Sequence, residues 1–403
     1  MGSRSEVRIA GPLAGLAPGF DESLARRGYR LGPAARQLRL MAEVSRWLAG
    51  RDLGAGELTE AAAGQFLAER RAAGRTRFVS ARGLRPLLDY LRELGIAPPP
   101  STAPPSTASE ALLERYTSHL LERRGLSAST ARNHLGLART FLSWREAAAG
   151  ELDLKRLDAA AVSEFVLEET RRLSVGSAKC AVTQLRALLR FLHLEGEAPS
   201  DLAGAAPPIA SWRLASLVKA LDERSVAQLL CSCDRRTRAG RRDFAILTAL
   251  SRLGLRAGEL AALRLDDVDW RAGELLICGK GSRRDRLPLP ADVGEALAAW
   301  LTRGRPHCGS AFLFTRLRAP HGGLSAGAVS DVVRRACRRA GLPVVGAHRL
   351  RHTAATEMLR SGGDLAEVGQ VLRHRSRDVT SIYAKVDRAA LAAVVRPWPG
   401  VAA

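Results

Sequence analysis

A mainly α-helical, multidomain fold with one small antiparallel β-sheet is what this sequence predicts, and three observations lead there. Over most of the 403 residues, apolar side chains recur at i, i+3, i+4 and i+7, the pattern of amphipathic helices. Two proline-rich breaks divide the chain, and its length suits two or three domains. In the last third, Glu274–Cys278 and Asp285–Leu289 read as short strands flanking the turn Gly279-Lys280-Gly281-Ser282, a hairpin.

The first break, Ala97–Thr107, reads APPPSTAPPST; it has no apolar period and predicts a semi-rigid linker over 98–107. The second, Gly196–Ile209, reads GEAPSDLAGAAPPI. The segments they separate are 14–97, 108–200 and 210–396. The first two resemble each other. Arg26-Arg27-Gly28 and Arg123-Arg124-Gly125 each precede a helical pattern that reaches a tryptophan 19 residues after the glycine, at Trp47 and Trp144. LRPLLDYLRELG (84–95) and LRALLRFLHLEG (185–196) share six of twelve residues. A repeated domain of four or five helices is the simplest account.

In the third segment, Arg241–Leu263 reads as helices interrupted at Gly254. Ser325–Ala340, His348–Ser361 and Leu365–Leu372 read as further helices. The result is a helical domain around a small sheet.

Composition narrows the function. Hydrophobic residues make up 46% and charged residues 26%, so each segment can bury a core. No apolar run approaches the ~18 residues of a membrane span, and MGSRSEVRIAG lacks the apolar heart of a secretory signal. A soluble cytoplasmic protein is expected. Cys180, Cys231, Cys233, Cys278, Cys308 and Cys337 are too sparse for a disulfide framework and lack the spacing of a zinc site, so no metal is expected. Sixty-two basic residues against 41 acidic ones give a net charge of +21, which calls for a polyanionic partner. Nucleic acid fits best, although acidic proteins and membrane surfaces share the attraction. One helix of the second segment, SASTARNHLGLARTFLSWR (127–145), can be capped by Ser127 or Ser129 and projects Arg132, Asn133, His134 and Arg139. Such a face suits a DNA major groove or open solvent.

Five short pieces of the last segment carry chemistry: Leu253-Gly254-Leu255-Arg256-Ala257-Gly258-Glu259-Leu260, Cys278-Gly279-Lys280-Gly281, His348-Arg349-Leu350-Arg351-His352, Leu372-Arg373-His374 and Ser381-Ile382-Tyr383-Ala384-Lys385. His348 and Arg351 are three apart and share a helix face. Two guanidinium groups can hold a phosphodiester from different sides, and histidine can move a proton near neutral pH. Tyr383 offers a hydroxyl nucleophile, but ionising a phenol of pKa ~10 at pH 7 costs roughly 4 kcal/mol, so it needs cations and a base nearby. Only five of the 62 basic residues are lysine. Lys280 at a hairpin tip therefore stands out, because lysine can act as an acid where arginine cannot.

As an ordered set, G-L-R-x-x-E-L, G-K-G in a hairpin, H-x-L-R-H, L-x-H and a tyrosine nine residues further on resemble the catalytic domain of the tyrosine recombinases, the phage-integrase family, over residues 213–395. Residues 108–200 resemble the family's helical, SAM-like core-binding domain; residues 14–97 are similar to that domain only through the repeat. The resemblance implies that Tyr383 attacks a scissile DNA phosphate to give a 3′-phosphotyrosyl link and a free 5′-hydroxyl. Arg256 and Arg351 would clamp the non-bridging oxygens. His348 would be the general base or acid facing the tyrosine, Lys280 would protonate the leaving oxygen, and His374 would hydrogen-bond the phosphate. Glu259 would orient the site and His352 would support it. Arg373 stands where relatives carry glycine, a mild departure.

The implied protein is a site-specific recombinase or integrase, of the kind carried by mobile elements. It would act on double-stranded DNA sites as a homotetramer, with no cofactor, metal or ATP and with room for an accessory or partner recombinase. Asp387–Val395 would form a short helix docked on a neighbouring protomer or on its own core. A type IB topoisomerase shares the residue set, and an inactive DNA-binding regulator is the alternative from another class.

Overall fold

A computed structural model describes residues 7–99, 107–150, 152–210, 220–279, 284–373 and 380–386. The chain falls into two compact units, one from Met1–Pro99 with Ser216–Ala403 and the other from Pro100–Ala215. Among the described residues the fold is helical with one small antiparallel sheet, as the periodicity predicts. No described helix is long and apolar enough to cross a membrane.

The first segment has helices α1 (Ala17–Arg26), α2 (Leu31–Ala49), α3 (Glu60–Ala72) and α4 (Ala81–Glu93). Leu40, Met41, Val44 and Leu48 of α2 bury one stripe, and Leu84, Leu87, Leu88 and Leu91 of α4 bury another; both enter one core. The 100–215 unit repeats the count with α5 (Ala108–Ser118), α6 (Ala128–Ala149), α7 (Ala159–Arg171) and α8 (Val175–Leu194). Ser127, the first of the two expected caps, starts α6 by accepting the Thr130 N–H at 3.3 Å.

Internal details recur between the segments. Gly28 (φ +81°) and Gly125 (φ +58°) both take the left-handed conformation that ends a helix. The Trp47 indole N–H donates to Glu69 at 2.8 Å and meets the Phe66 ring edge-on. Trp144 does the same with Glu168 at 2.9 Å and with Phe165.

The remaining segment has α9 (Glu223–Cys231), α10 (Arg238–Leu253), α11 (Ala257–Ala262), strands β1 (Val268–Asp269), β2 (Glu274–Cys278) and β3 (Arg284–Pro288), then α12 (Ala291–Arg303), α13 (Ala326–Arg339), α14 (Ala347–Arg360) and α15 (Leu365–Val371). The sheet order is β1-β2-β3, antiparallel throughout, with Leu275 opposite both Val268 and Leu287. Leu275 and Ile277 face inward and join Ile246, Leu250, Trp300, Phe314 and Val333 in the core. β1 was not expected, because two residues are too few to show a period. Helix α10 begins at Arg238 rather than Arg241 because Thr237 caps it by accepting the Gly240 N–H. The hairpin tip at 280–283, most of the linker at 98–107 and the expected helix at 387–395 lie outside the described residues.

Candidate active site

The site begins where α10 ends. Gly254 (φ +57°) terminates that helix in the left-handed conformation that favours glycine, and a Cβ there would come within 2.5 Å of the Leu372 side chain at Cδ2. The Arg351 fork fills the gap: Nη1 donates to the Gly254 carbonyl at 2.6 Å and Nη2 to the Leu372 carbonyl. Arg351 is 2% exposed. Burial, then the charge of Arg256, lowers it to about 10, which still leaves a full cation at neutral pH.

Two residues past Gly254, Arg256 is the N-cap of α11, and Glu259 is the third residue of that helix. Glu259 Oε2 accepts the Arg256 backbone N–H at 2.8 Å, the carboxylate half of a capping box, and Oε1 accepts Arg256 Nη1 at 2.5 Å. Arg373 completes the group, its Nη2 donating to Oε2 at 2.8 Å. The Glu259 and Arg373 side chains are 4% and 6% exposed, whereas that of Arg256 is 42% exposed. Burial pushes the Glu259 carboxyl up. The Arg256 N–H bond and the charges of Arg373 and Arg256 outweigh it, so the group sits below the ordinary carboxylate range. Arg256 thus combines an anchored backbone with a side chain open to solvent.

His348, Arg351 and His352 occupy the first turns of α14, on one face. The two imidazoles meet edge-on with centroids 4.3 Å apart. Tyr383 comes from a short 3₁₀ turn, Ser381–Val386, and packs on Ala355, Leu359, Val368 and Leu372. Its hydroxyl lies 2.8 Å from His352 Nδ1. Burial lowers both histidines. At His348 the charges of Arg351, Arg256 and Arg349 add to it; at His352, His348 and the same arginine face bring the value to about 4. Burial raises the Tyr383 phenol, with Arg351 opposing it. All three groups are therefore neutral at pH 7, and the phenol and Nδ1 share one hydrogen bond whose donor is set by the imidazole tautomer.

Here the geometry differs from the sequence expectation. The tyrosine hydroxyl meets His352 rather than His348, because the tyrosine ring packs on Ala355 and Leu359, beyond the first turn of α14. The cations do not make the phenol acidic in this arrangement, since desolvation outweighs Arg351. The structure brings Arg256, Glu259, His348, Arg351, His352 and Tyr383 into one region. Lys280 and His374 lie outside the described residues.

On α6, Arg132, Asn133 and Arg139 are exposed. His134 is half-buried, its Nδ1 3.3 Å from the Tyr116 hydroxyl, and burial and Arg124 lower its pKa, so this ring braces the core more than it projects. Arg373 is the residue that sequence reasoning undervalued. The available signal was a charged side chain at a position where relatives carry glycine.

Comparison with known proteins adds the lineage. Residues 219–389 match the model of the phage integrase family, and residues 113–196 match the phage integrase N-terminal SAM-like domain. Over 396 residues the chain is 41% identical to the integrase/recombinase y4rA of Sinorhizobium fredii, covering 97% of this chain and 96% of that one. The chain belongs to the phage integrase family, the tyrosine recombinases. Tyrosine recombinase XerD of Mycobacterium tuberculosis (strain H37Rv) is 34% identical over 307 residues, 72% of this recombinase and 96% of its own length. The fold matches a lambda integrase dimer bound to a COC′ core site (TM-score 0.53, 18% identity, 72% of this chain and 98% of that one). It also matches XerH bound to palindromic difH (TM-score 0.53, 22% identity, 71% and 95%). This recombinase is accordingly an enzyme of DNA strand breakage and rejoining.

Proposed function

We propose that this chain is a site-specific recombinase that binds two double-stranded DNA sites as a synaptic homotetramer and exchanges strands through a 3′-phosphotyrosyl intermediate. The observation that carries the reading is the Tyr383–His352 hydrogen bond of 2.8 Å, which sets a nucleophile against the helix face that also presents His348 and Arg351.

Arg256 and Arg351 hold the non-bridging oxygens of the scissile phosphate and stabilise the charge that grows on them in the transition state. The Tyr383 oxygen forms a bond to phosphorus while the bond from phosphorus to the 5′-oxygen breaks. The phenolic proton passes to the neutral histidine pair, and Lys280 gives a proton to the departing 5′-oxygen. His374 donates a hydrogen bond to the phosphate. Glu259 keeps Arg256 aimed. The phosphotyrosyl ester conserves the energy of the phosphodiester, so a 5′-hydroxyl from the partner site can reverse the step with no ATP and no metal. Repeating the exchange on the second strand pair resolves a four-way junction.

The test is incubation with a nicked duplex carrying the sequence at the borders of the element that encodes this protein. Cleavage beside the nick releases a short fragment and traps the covalent adduct. Wild type is expected to form the adduct and Tyr383→Phe to form none. A wild type that binds this DNA but never forms an adduct contradicts the reading.

A further inference from the structure

The segment at 14–97 has no role in the chemistry above, yet its charge is the opposite of incidental. Residues 7–99 contain fifteen arginines, no lysine and nine carboxylates, whereas residues 107–210, built on the same four-helix pattern, contain thirteen basic and thirteen acidic residues. The ion pairs of the first segment use Arg27, Arg51, Arg70 and Arg92. Arg36, Arg39, Arg75, Arg77, Arg82 and Arg85 are all exposed and pair with no carboxylate among the described residues.

These six are gathered, not scattered. Arg36, Arg39, Arg75 and Arg77 line one groove between α2 and the connection from α3 to α4. Its single carboxylate, Glu43, is already paired with Arg70. The Gln37 amide donates to the Gly83 carbonyl at 3.4 Å, which ties this end of α2 to the first turn of α4, where Arg82 and Arg85 stand three apart on one face. Phe78 holds a left-handed φ of +54° and lies against Gly83, fixing the connection that presents Arg75 and Arg77. Six unpaired guanidinium groups on a braced surface repel one another unless an anion lies across them. Arg36 is the eighth residue after the left-handed Gly28, and Asn133 the eighth after Gly125; both are exposed. At this matched position the two segments differ, with Arg36 in one and Asn133 in the other.

We propose that residues 14–97 form a second duplex-binding surface, on which this arginine tract tracks the phosphate backbone of DNA. The inference rests on the reading of the chain as a DNA recombinase and extends it to the N-terminal segment, where Arg36, Arg82 and Arg85 also line a cleft with Arg242, Arg316, Arg318, Arg335 and Arg339 of the catalytic segment and the carboxylates Asp89 and Asp243. Its role is affinity and positioning, since arginines on phosphates carry no base code.

The experiment titrates the full-length protein with a random-sequence duplex over a range of salt concentrations. The tract variant is Arg36→Gln/Arg39→Gln/Arg82→Gln. The control is Arg8→Gln/Arg46→Gln/Arg51→Gln, which removes equal charge near the other end of α2. The tract variant is expected to weaken binding at least tenfold and to lower the log–log salt slope by about 3, roughly 0.9 for each phosphate that is no longer neutralised; the control should change both far less. Equal losses in the two variants would mean bulk charge and overturn the proposal, as would unchanged binding by the tract variant. Adduct formation on the nicked substrate, at saturating protein, separates this from the catalytic reading. It should survive in the tract variant, and its absence from wild type counts against the catalysis alone.

Discussion

Arg373 and Glu259 form an ion pair of 2.8 Å in which both side chains are nearly sealed from solvent, and Arg373 holds it from a left-handed backbone, φ +56°. That conformation suits glycine and costs other residues on the order of 1 kcal/mol or more. The strain is balanced by what the guanidinium does. Glu259 takes three N–H donors, two from Arg256 and one from Arg373, so its buried charge does not depend on the exposed Arg256 side chain alone. In the proposed reaction, where Arg256 holds a phosphate, Arg373 remains as counter-ion.

This orders two substitutions. Arg373→Gly loses the ion pair and relieves the backbone, whereas Arg373→Ala loses the pair and keeps the strain. Chemical denaturation should rank wild type above Arg373→Gly, and Arg373→Ala about 1 kcal/mol below the glycine variant. An alanine variant as stable as the glycine variant contradicts the strain, and a glycine variant more stable than wild type contradicts the pair.

The Glu259 carboxyl also sets a pH dependence. Its folded pKa is lower than the ~4.3 of an unfolded glutamate, so the stability it contributes is present above that value and is lost as pH falls through the lower, folded one. Glu259→Gln should be less stable than wild type at pH 7 and should lose less on acidification to pH 3. Parallel stability curves would mean that the carboxylate contributes nothing.

His352 acts in the same direction at higher pH. Its folded pKa is about 4, below the ~6.5 of a free imidazole, so the unfolded chain binds the proton first and stability falls between pH 6.5 and 4. After discounting for solvent screening, the loss is roughly 1–3 kcal/mol. Replacing His352 by alanine should flatten that limb. In the same variant, Tyr383→Phe should become nearly neutral, although in wild type it costs about 1 kcal/mol, because the hydroxyl has lost its hydrogen-bond partner. Strict additivity of the two substitutions argues against the hydrogen bond.

Arg351 has a structural role beside its proposed chemical one. Its fork spans the Gly254 and Leu372 carbonyls, a geometry that a lysine ammonium cannot reproduce. Arg351→Lys should therefore lower stability by about 2–4 kcal/mol and also abolish adduct formation. A lysine variant of full stability and no activity would confine the residue to catalysis.

The sequence carried the broad architecture because apolar period and turn chemistry are local. The stripes of α2 and α4, the hairpin strands and the stop at Gly254 can all be read over a dozen residues. The proposed catalytic set stood out because its spacing is characteristic: Arg351 stands three positions after His348, and Tyr383 nine after His374. What depends on long-range packing was hidden. Nothing near Tyr383 in the chain reveals that a 3₁₀ turn delivers its hydroxyl to His352 and buries the ring against Leu359 and Leu372. Nor does the L-R-H piece reveal that Arg373 reaches a carboxylate 114 positions earlier. The exposed arginines of the first segment were visible only as a charge total until the groove between α2 and the connection from α3 to α4 gathered four of them.

The central claim is that the oxygen of Tyr383 becomes bonded to a DNA 3′-phosphate. Trapping the adduct on a nicked duplex, digesting the protein and sequencing the peptide that retains a nucleotide tests it directly. The account predicts one modified peptide, containing Tyr383, with the nucleotide joined through its 3′-phosphate and a free 5′-hydroxyl on the released strand. A nucleotide on any other residue, or a 5′-phosphate link, would contradict it.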